Sequence, residues 1–438
     1  MEGEPLGLLD EAILHLDSPA EPWSVHLEVR YRRALDETRL GEAVGAALDR
    51  HPAARARLAI SHPRRSYEWV PSPTPDLDPY DIVHCDGDDA LAAAREELLS
   101  RPLPFGASPP LRVRLARHPD ADVVMLNLHH AAGDGMAALV FLQSVARAYA
   151  GRPETVVDLP RGPAATPVSR PQLRAAAAEL SGAARPSARI AADGGREAPG
   201  YAFHLLALEA ARTRALRARA RDGATVNDLL MAALHLSVAR WNAEHGKPGG
   251  RLSVLMPVNL RPREAWRDGF GNFTFMVPVS TVPRDRVSPT VAVDAVRRRT
   301  RAVKEQRTPA AVVSCLQRLQ HLPISFRRRI IRQAARESVV PTSLLSNLGV
   351  MEHDLGLGPE VGAPTDIWFS PPARMPLGLS VGALTVNGQL SVTFRVRHPL
   401  LGRDALARFA AVYESALDSI IDVEEPSLRP SASHARAA

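Results

Sequence analysis

The sequence predicts an α/β protein of two domains, on three observations. Its 438 residues exceed the roughly 250 to 300 that one hydrophobic core usually supports. Stretches with strand character alternate with stretches of helical period along the whole chain. Between about Pro153 and Pro199 the composition shifts to Ala, Pro, Arg and Gly with few large apolar residues, which reads as a crossover. The expected division is a first half over 1–160, a crossover over 161–200, a second half over 201–425 and a disordered polar tail over 426–438.

In order, Ser24 to Tyr31 alternates Val25, Leu27, Val29 and Tyr31 with polar residues, a strand. Leu40, Val44, Ala47 and Leu48 follow at helical spacing, and His51-Pro52 ends that helix. Pro71 to Asp81 reads as loop and Asp88 to Leu99 as a helix that Pro102 and Pro104 terminate. Leu111 to Leu115 is a short strand. Val123 to Leu128 is almost continuously apolar, as a strand covered on both faces requires. From Gly135, Met136, Leu139, Leu142, Val145 and Tyr149 form one helical stripe, with Gly151 as C-cap. Gln172 to Leu180 is a short helix within the crossover.

The second half opens with a strand at Tyr201 to Leu208, a helix near Glu209 to Ala220 and a helix from Thr225 to Trp241, where Thr225 and Asp228 form a capping box. Leu252 to Val258 and Asn272 to Val282 read as strands, and Thr290 to Gln306 and Pro323 to Ser338 as basic helices. Asn387-Gly388 between Leu384-Thr385-Val386 and Leu390 to Val396 predicts a type I′ hairpin. Arg403 to Ile421 is a final amphipathic helix.

Composition narrows the function. Cys85 and Cys315 lie far apart without CxxC spacing, so neither a disulfide framework nor a zinc site is expected, and the setting reads as a reducing cytoplasm. The first sixteen residues carry Glu2, Glu4, Asp10 and Glu11 where a signal peptide needs positive charge. Nowhere do about 18 apolar residues run together, so no spanning helix is expected, while peripheral membrane contact stays open. The net charge is +6, with one basic cluster at Arg297, Arg298, Arg299, Arg301, Lys304 and Arg307 and another at Arg327, Arg328, Arg329, Arg332 and Arg336. Aromatic residues do not interleave with these clusters, which argues against nucleic acid. They read as solvated helix faces or as a landing surface for something anionic, such as coenzyme A phosphates, an acidic carrier protein or anionic lipid.

The chemistry concentrates in His129-His130-Ala131-Ala132-Gly133-Asp134-Gly135, between the buried strand and the helix after it. A chance HHxxxDG match in a chain of this length has a probability on the order of 10⁻³. A strand-end histidine can take a proton from an alcohol, amine or thiol as it attacks a carbonyl, and its ordinary pKa of about 6.5 leaves it largely neutral at pH 7. Asp134 reads as a structural anchor for the loop, with a relay role as the alternative. Gly133 and Gly135 allow a tight turn and close passage of substrate. A metal site is disfavoured, because adjacent histidines on a strand point to opposite faces and no further cluster completes a ligand set. No nucleophile elbow, Walker loop or GxGxxG fingerprint is present.

With this motif the sequence resembles the acyltransferase superfamily of chloramphenicol acetyltransferase, nonribosomal peptide synthetase condensation domains and bacterial wax ester synthase/diacylglycerol acyltransferases. The resemblance extends to Leu8-Leu9-Asp10 with Leu14 to Pro19, Arg50-His51-Pro52 through Arg55, Val226 to Leu230, Pro257 to Pro262, Gly271-Asn272-Phe273 and Ser346 to Gly349. Pro5 to Asp10 matches the wax ester synthase pattern only in part and no DFGWG-type element is present, which leaves the subfamily open.

The resemblance implies two chloramphenicol-acetyltransferase-like subdomains in a V around a central tunnel. It assigns the base role to His130, places His129 and Asp134 beside it as catalytic-motif residues, and gives Asp134 a structural salt bridge with Arg261 or, second, Arg55. Gly135, Ser346 and Asn347 are implied near substrate, where hydrogen-bond donors stabilise a tetrahedral oxyanion. The expected function is a stand-alone condensation-like acyltransferase of specialised metabolism that forms an ester or amide. No cofactor is held tightly. The donor is acyl-CoA or an acyl thioester on the phosphopantetheine arm of an acyl or peptidyl carrier protein, and the acceptor is a small molecule. A monomer is expected. A wax ester synthase/diacylglycerol acyltransferase of lipid storage and a non-catalytic module that recruits enzymes to a carrier protein are the alternatives.

Overall fold

The computed structural model describes residues 3–422 apart from 62–65, 153, 165–166, 184, 195–199, 221–222, 248, 306–307, 318–319, 321, 335–339 and 352–353. Arg307, Arg336 and the expected tail lie outside the described residues. The first half contains β1 (Glu4–Pro5), α1 (Leu8–Leu16), β2 (Ser24–Tyr31), α2 (Glu37–Arg50), β3 (Ala56–Ser61), β4 (Ser66–Pro71), β5 (Tyr80–His84), α3 (Asp88–Ser100), β6 (Leu111–Arg117), β7 (Asp122–His129) and α4 (Gly135–Tyr149). The crossover carries α5 (Arg170–Ala183). There follow β8 (Tyr201–Leu208), α6 (Ala210–Arg219), α7 (Val226–Glu244), β9 (Leu252–Asn259), β10 (Thr274–Thr281), α8 (Pro289–Glu305), α9 (Thr308–Gln317), α10 (Ile324–Ala334), β11 (Ser343–Val350), β12 (Asp366–Ser370), β13 (Leu379–Val386), β14 (Gln389–Arg397) and α11 (Arg403–Ile421).

Two α/β halves, each a sheet backed by helices, meet in a V. The first sheet has the order β12-β2-β7-β6-β5 and the second β10-β9-β11-β13-β14-β8, with β1-β4-β3 as a small third. Every residue of β7 is buried, which accounts for its unbroken apolar run. The apolar stripes of α2 and α4 cover one face of the first sheet. On the second sheet α7 and α11 do the same, and α7 is buried nearly all round.

The local signals act through identifiable bonds. Thr225 and Asp228 cap α7 reciprocally. Asn387 and Gly388 take φ of 49° and 81°, the pair of positive values a type I′ turn needs. Sequence reading missed the β3–β4 hairpin, β5, α9, β11 and β12. Strand β12 departs furthest from chain order, pairing antiparallel with β2 so that a segment from the second half forms an edge of the first sheet.

Candidate active site

β7 ends at His129, and the turn after it delivers His130 to the cleft. The His130 amide donates to the Trp23 carbonyl at 2.9 Å, and the His130 carbonyl accepts from Asn272 Nδ2 at 3.3 Å. The His130 ring lines a cavity of about 150 Å³ shared with Asp134, Gly135, Asn259, Trp266, Thr274 and Ser346. Its Nδ1 is sealed from solvent, and Nε2 is the remaining ring nitrogen. Burial pushes the His130 pKa below that of a free histidine, opposed in part by the charge of Asp134, so the ring is neutral at pH 7.

His129, placed by sequence in the catalytic set, does not face this cavity. His129 is the last residue of β7, whereas His130 belongs to the turn that follows. Its ring packs edge-on against Phe105 at 3.8 Å, its Nδ1 accepts from the Ala131 amide at 3.0 Å, and its Nε2 lies 3.4 Å from Asp17. His129 shapes the turn that carries His130.

Asp134 is saturated by partners. One oxygen accepts from the Ala137 amide at 2.9 Å, capping α4, and from Arg261 Nη2 at 2.9 Å. The other accepts from Arg261 Nη1 at 3.3 Å, the Phe273 amide at 3.0 Å and Thr274 Oγ1 at 3.0 Å. Burial alone would raise this carboxyl, but Arg261 and the amides outweigh it and hold its pKa below the ordinary value. A carboxylate so occupied anchors the loop and has no capacity left to relay a proton. Arg261 also stacks on the Phe273 ring at 4.5 Å. The second expected partner, Arg55, pairs with Asp49 instead, because the short 3-10 turn Pro52–Arg55 turns its side chain back toward α2.

Gly135 and Gly271 are needed for close approach. A Cβ on Gly135 would stand 2.9 Å from the side chains of Leu348 and Phe369, and one on Gly271 would stand 2.0 Å from the Arg161 carbonyl. Ser346 lines the cavity from β11. Asn347 lines it too, but its side-chain oxygen accepts from the Gly349 amide at 2.8 Å, within an irregularity in the β11–β13 register. Behind the turn lie Arg161, which donates to the Ala53 and Ala132 carbonyls, and Asp10, whose pKa burial raises to about 8 against the pull of Arg161. Asn272, Thr274, Trp266 and Phe369 were given no role from sequence. Their placement depends on the fold, and only the Gly271-Asn272-Phe273 match pointed toward it.

The motif does not assemble a ligand set for metal, since His129 diverges and Asp134 is occupied. Among the described residues no group of three or more His, Cys, Asp or Glu could hold an ion. Nor is any helix among them long and apolar enough to cross a membrane.

Comparison with known proteins gives this geometry relatives. The family model "Condensation domain" matches residues 13–163. The uncharacterized protein Rv2305 of Mycobacterium tuberculosis is 33% identical over 428 residues, covering 94% of this chain and 98% of that protein. Among solved structures, the first condensation domain of the calcium-dependent antibiotic synthetase superposes with a TM-score of 0.70 at 15% identity, covering 96% of this chain and 97% of that one. The nonribosomal peptide synthetase FmoA3 gives a TM-score of 0.70 at 16% identity, covering 97% of this chain. The chain spans under half of that structure's length, 43%.

Proposed function

We propose that this chain, which belongs to the condensation-domain family of the chloramphenicol-acetyltransferase-like acyltransferases, transfers an acyl group from a thioester to a hydroxyl or amine with His130 as general base. The observation that carries the reading is the buried His130 ring on a cavity between the two halves, on a turn fixed by Asp134 and Arg261.

In this mechanism His130 Nε2 accepts the proton of the acceptor as its oxygen or nitrogen attacks the thioester carbonyl. The new C–O or C–N bond gives a tetrahedral oxyanion, to which the hydroxyl of Ser346, a residue lining the cavity, would donate. Collapse breaks the C–S bond, and the imidazolium returns its proton to the departing thiolate. No acyl-enzyme forms. The donor is acyl-CoA or a carrier-protein thioester, and the product is an ester or amide of specialised metabolism. Two free cysteines, Cys85 and Cys315, support a cytosolic setting.

A landing site for the donor's anionic arm or its carrier is supported on α10, where Arg328, Arg329 and Arg332 line an open concave surface. The rest of the basic residues fit that role less well. Arg327 is buried on Glu11, and Arg297, Arg299 and Arg301 pair with Asp294, Asp285 and Glu305.

The test is a thioester-consumption assay with acyl-CoA and acyl carrier donors against alcohol and amine acceptors. Wild type is expected to form product and His130→Ala to lose ~10²-fold or more. Equal rates for the two would refute the base role, and a wild type that binds carrier but turns over no pair would favour the recruitment module.

A further inference from the structure

The strand faces that line the His130 cavity continue into a second one. Residues two apart on a strand share a face at a spacing of about 6.5 to 7 Å. One such step from Pro257, Thr274 and Ser346, which border the histidine's cavity, leads to Leu255, Met276 and Leu344, which border a cavity of about 340 Å³. Leu344 lies beside Leu255 in parallel register, Met276 lies opposite Pro257, and Met276 lines both spaces. The wall therefore changes from mixed to wholly apolar within one step along three adjacent strands.

The far side is closed by Ala12 and Leu16 of α1 and Ile331 of α10. These two helices are locked by Glu11, whose buried carboxylate accepts from Arg327 Nε at 2.9 and 3.0 Å, a pair the chemistry at His130 does not use. Among the described residues Arg374 is the single charged one on the cavity, and it lies over the Trp23 ring at 5.3 Å. A polar substituent entering here would lose its hydration with almost nothing to replace it. A hydrocarbon chain would gain burial without that loss, and the volume is that of a small-ligand site.

We infer that this cavity binds an aliphatic chain whose reacting end lies at His130 and whose tail passes Met276 toward Leu16 and Ile331. The inference rests on the acyl-transfer reading and names its substrate class. The chain belongs either to the acyl donor or to the acceptor, since both present the same methylenes.

The test uses two length series with the full chain: acetyl- to dodecanoyl-CoA against one short acceptor, and ethanol to dodecanol against one short donor. For one series kcat/KM is expected to rise about threefold to fourfold per methylene until the cavity is filled. Ala12→Trp should flatten that series by at least about tenfold at the long end, and Ile331→Ala should move the optimum to longer chains. Thermal melts establish that both variants are folded. Calorimetry with unreactive S-alkyl-CoA thioethers and with the alkanols repeats both series without turnover.

A gain in the donor series assigns the chain to the acyl group, and a gain in the acceptor series assigns it to the alcohol. If no pair turns over but alkyl affinity rises with length and is lost in Ala12→Trp, the chain site stands while the acyl-transfer reading falls. Length-independent rates and affinities, or a length profile that neither folded variant alters, would overturn the site.

Discussion

Arg261 Nη2 meets Asp134 Oδ1 at 2.9 Å across 127 residues of sequence, with both side chains sealed from solvent. The pair fastens the turn that bears His130 to the loop after β9, so His130 is held from both halves of the fold. Removing one partner of a buried pair leaves the other uncompensated and costs ~3–5 kcal/mol. Arg261→Met and Asp134→Asn should each lower stability on that scale in urea unfolding, and Arg261→Met/Asp134→Leu should be less destabilised than the sum. Strict additivity in the double-mutant cycle would show that the contact does not couple the halves.

The pH profile of kcat/KM should carry the signature of a buried base. A histidine whose pKa is depressed is neutral, and competent, down through pH 6.5, and loses activity only at lower pH. The acid limb is therefore expected below 6.5. A limb at or above 6.5 would assign the titration to another group.

Acid should also unfold the protein through histidines remote from the site. Burial lowers the pKa of His51 to about 4 and that of His235 to about 3, while the unfolded chain keeps 6.5. Because the unfolded state binds the extra protons, their contribution is full above pH 6.5 and is lost as pH falls toward 4 and then 3. Melting temperature should fall across that window, and His51→Gln, which can keep a bond to Ser144 Oγ now accepted or donated by His51 Nε2 at 2.9 Å, should show a shallower fall. An unchanged slope in the variant would rule His51 out as a contributor.

Much of this was legible in the sequence where local chemistry decides the outcome. The Asn387-Gly388 turn, the Thr225 cap and the unbroken run of β7 each declare themselves within a few residues. Arg261 was named as the partner of Asp134 from its motif. What could not be read depends on neighbours distant in sequence. Asp366–Ser370 is too short to show a period and becomes a strand only by pairing with β2. Ser346 to Gly349 drew notice as a motif while the strand Ser343–Val350 around it went unseen. His129 and His130 look alike as letters, and only the end of β7 between them, together with the packing of Phe105, separates a residue that shapes the turn from one that lines the cavity. Arg327 looked like part of a solvated cluster because nothing local announces that Glu11, 316 residues away, buries it.

Charge reversal on α10 should separate docking from chemistry. Arg328→Glu/Arg332→Glu is expected to raise KM severalfold for a carrier-bound donor and leave kcat for a small thioester unchanged, because exposed charges act mainly on encounter. The same substitutions should matter less as salt is raised. Equal effects on both donors would remove α10 as the docking face.

Strand β12 works as a stitch: having crossed to pair with β2, it places Phe369 and Pro371 against the His130 cavity and passes on to Pro372 in the apolar one. The two halves are thus not separable modules. A fragment ending in the crossover would keep β2 with a bare row of amides and carbonyls along one side, a template for self-association. In the whole chain the same stitch tethers the lobes at the two cavities themselves, so any rocking of one half against the other must pull on their walls.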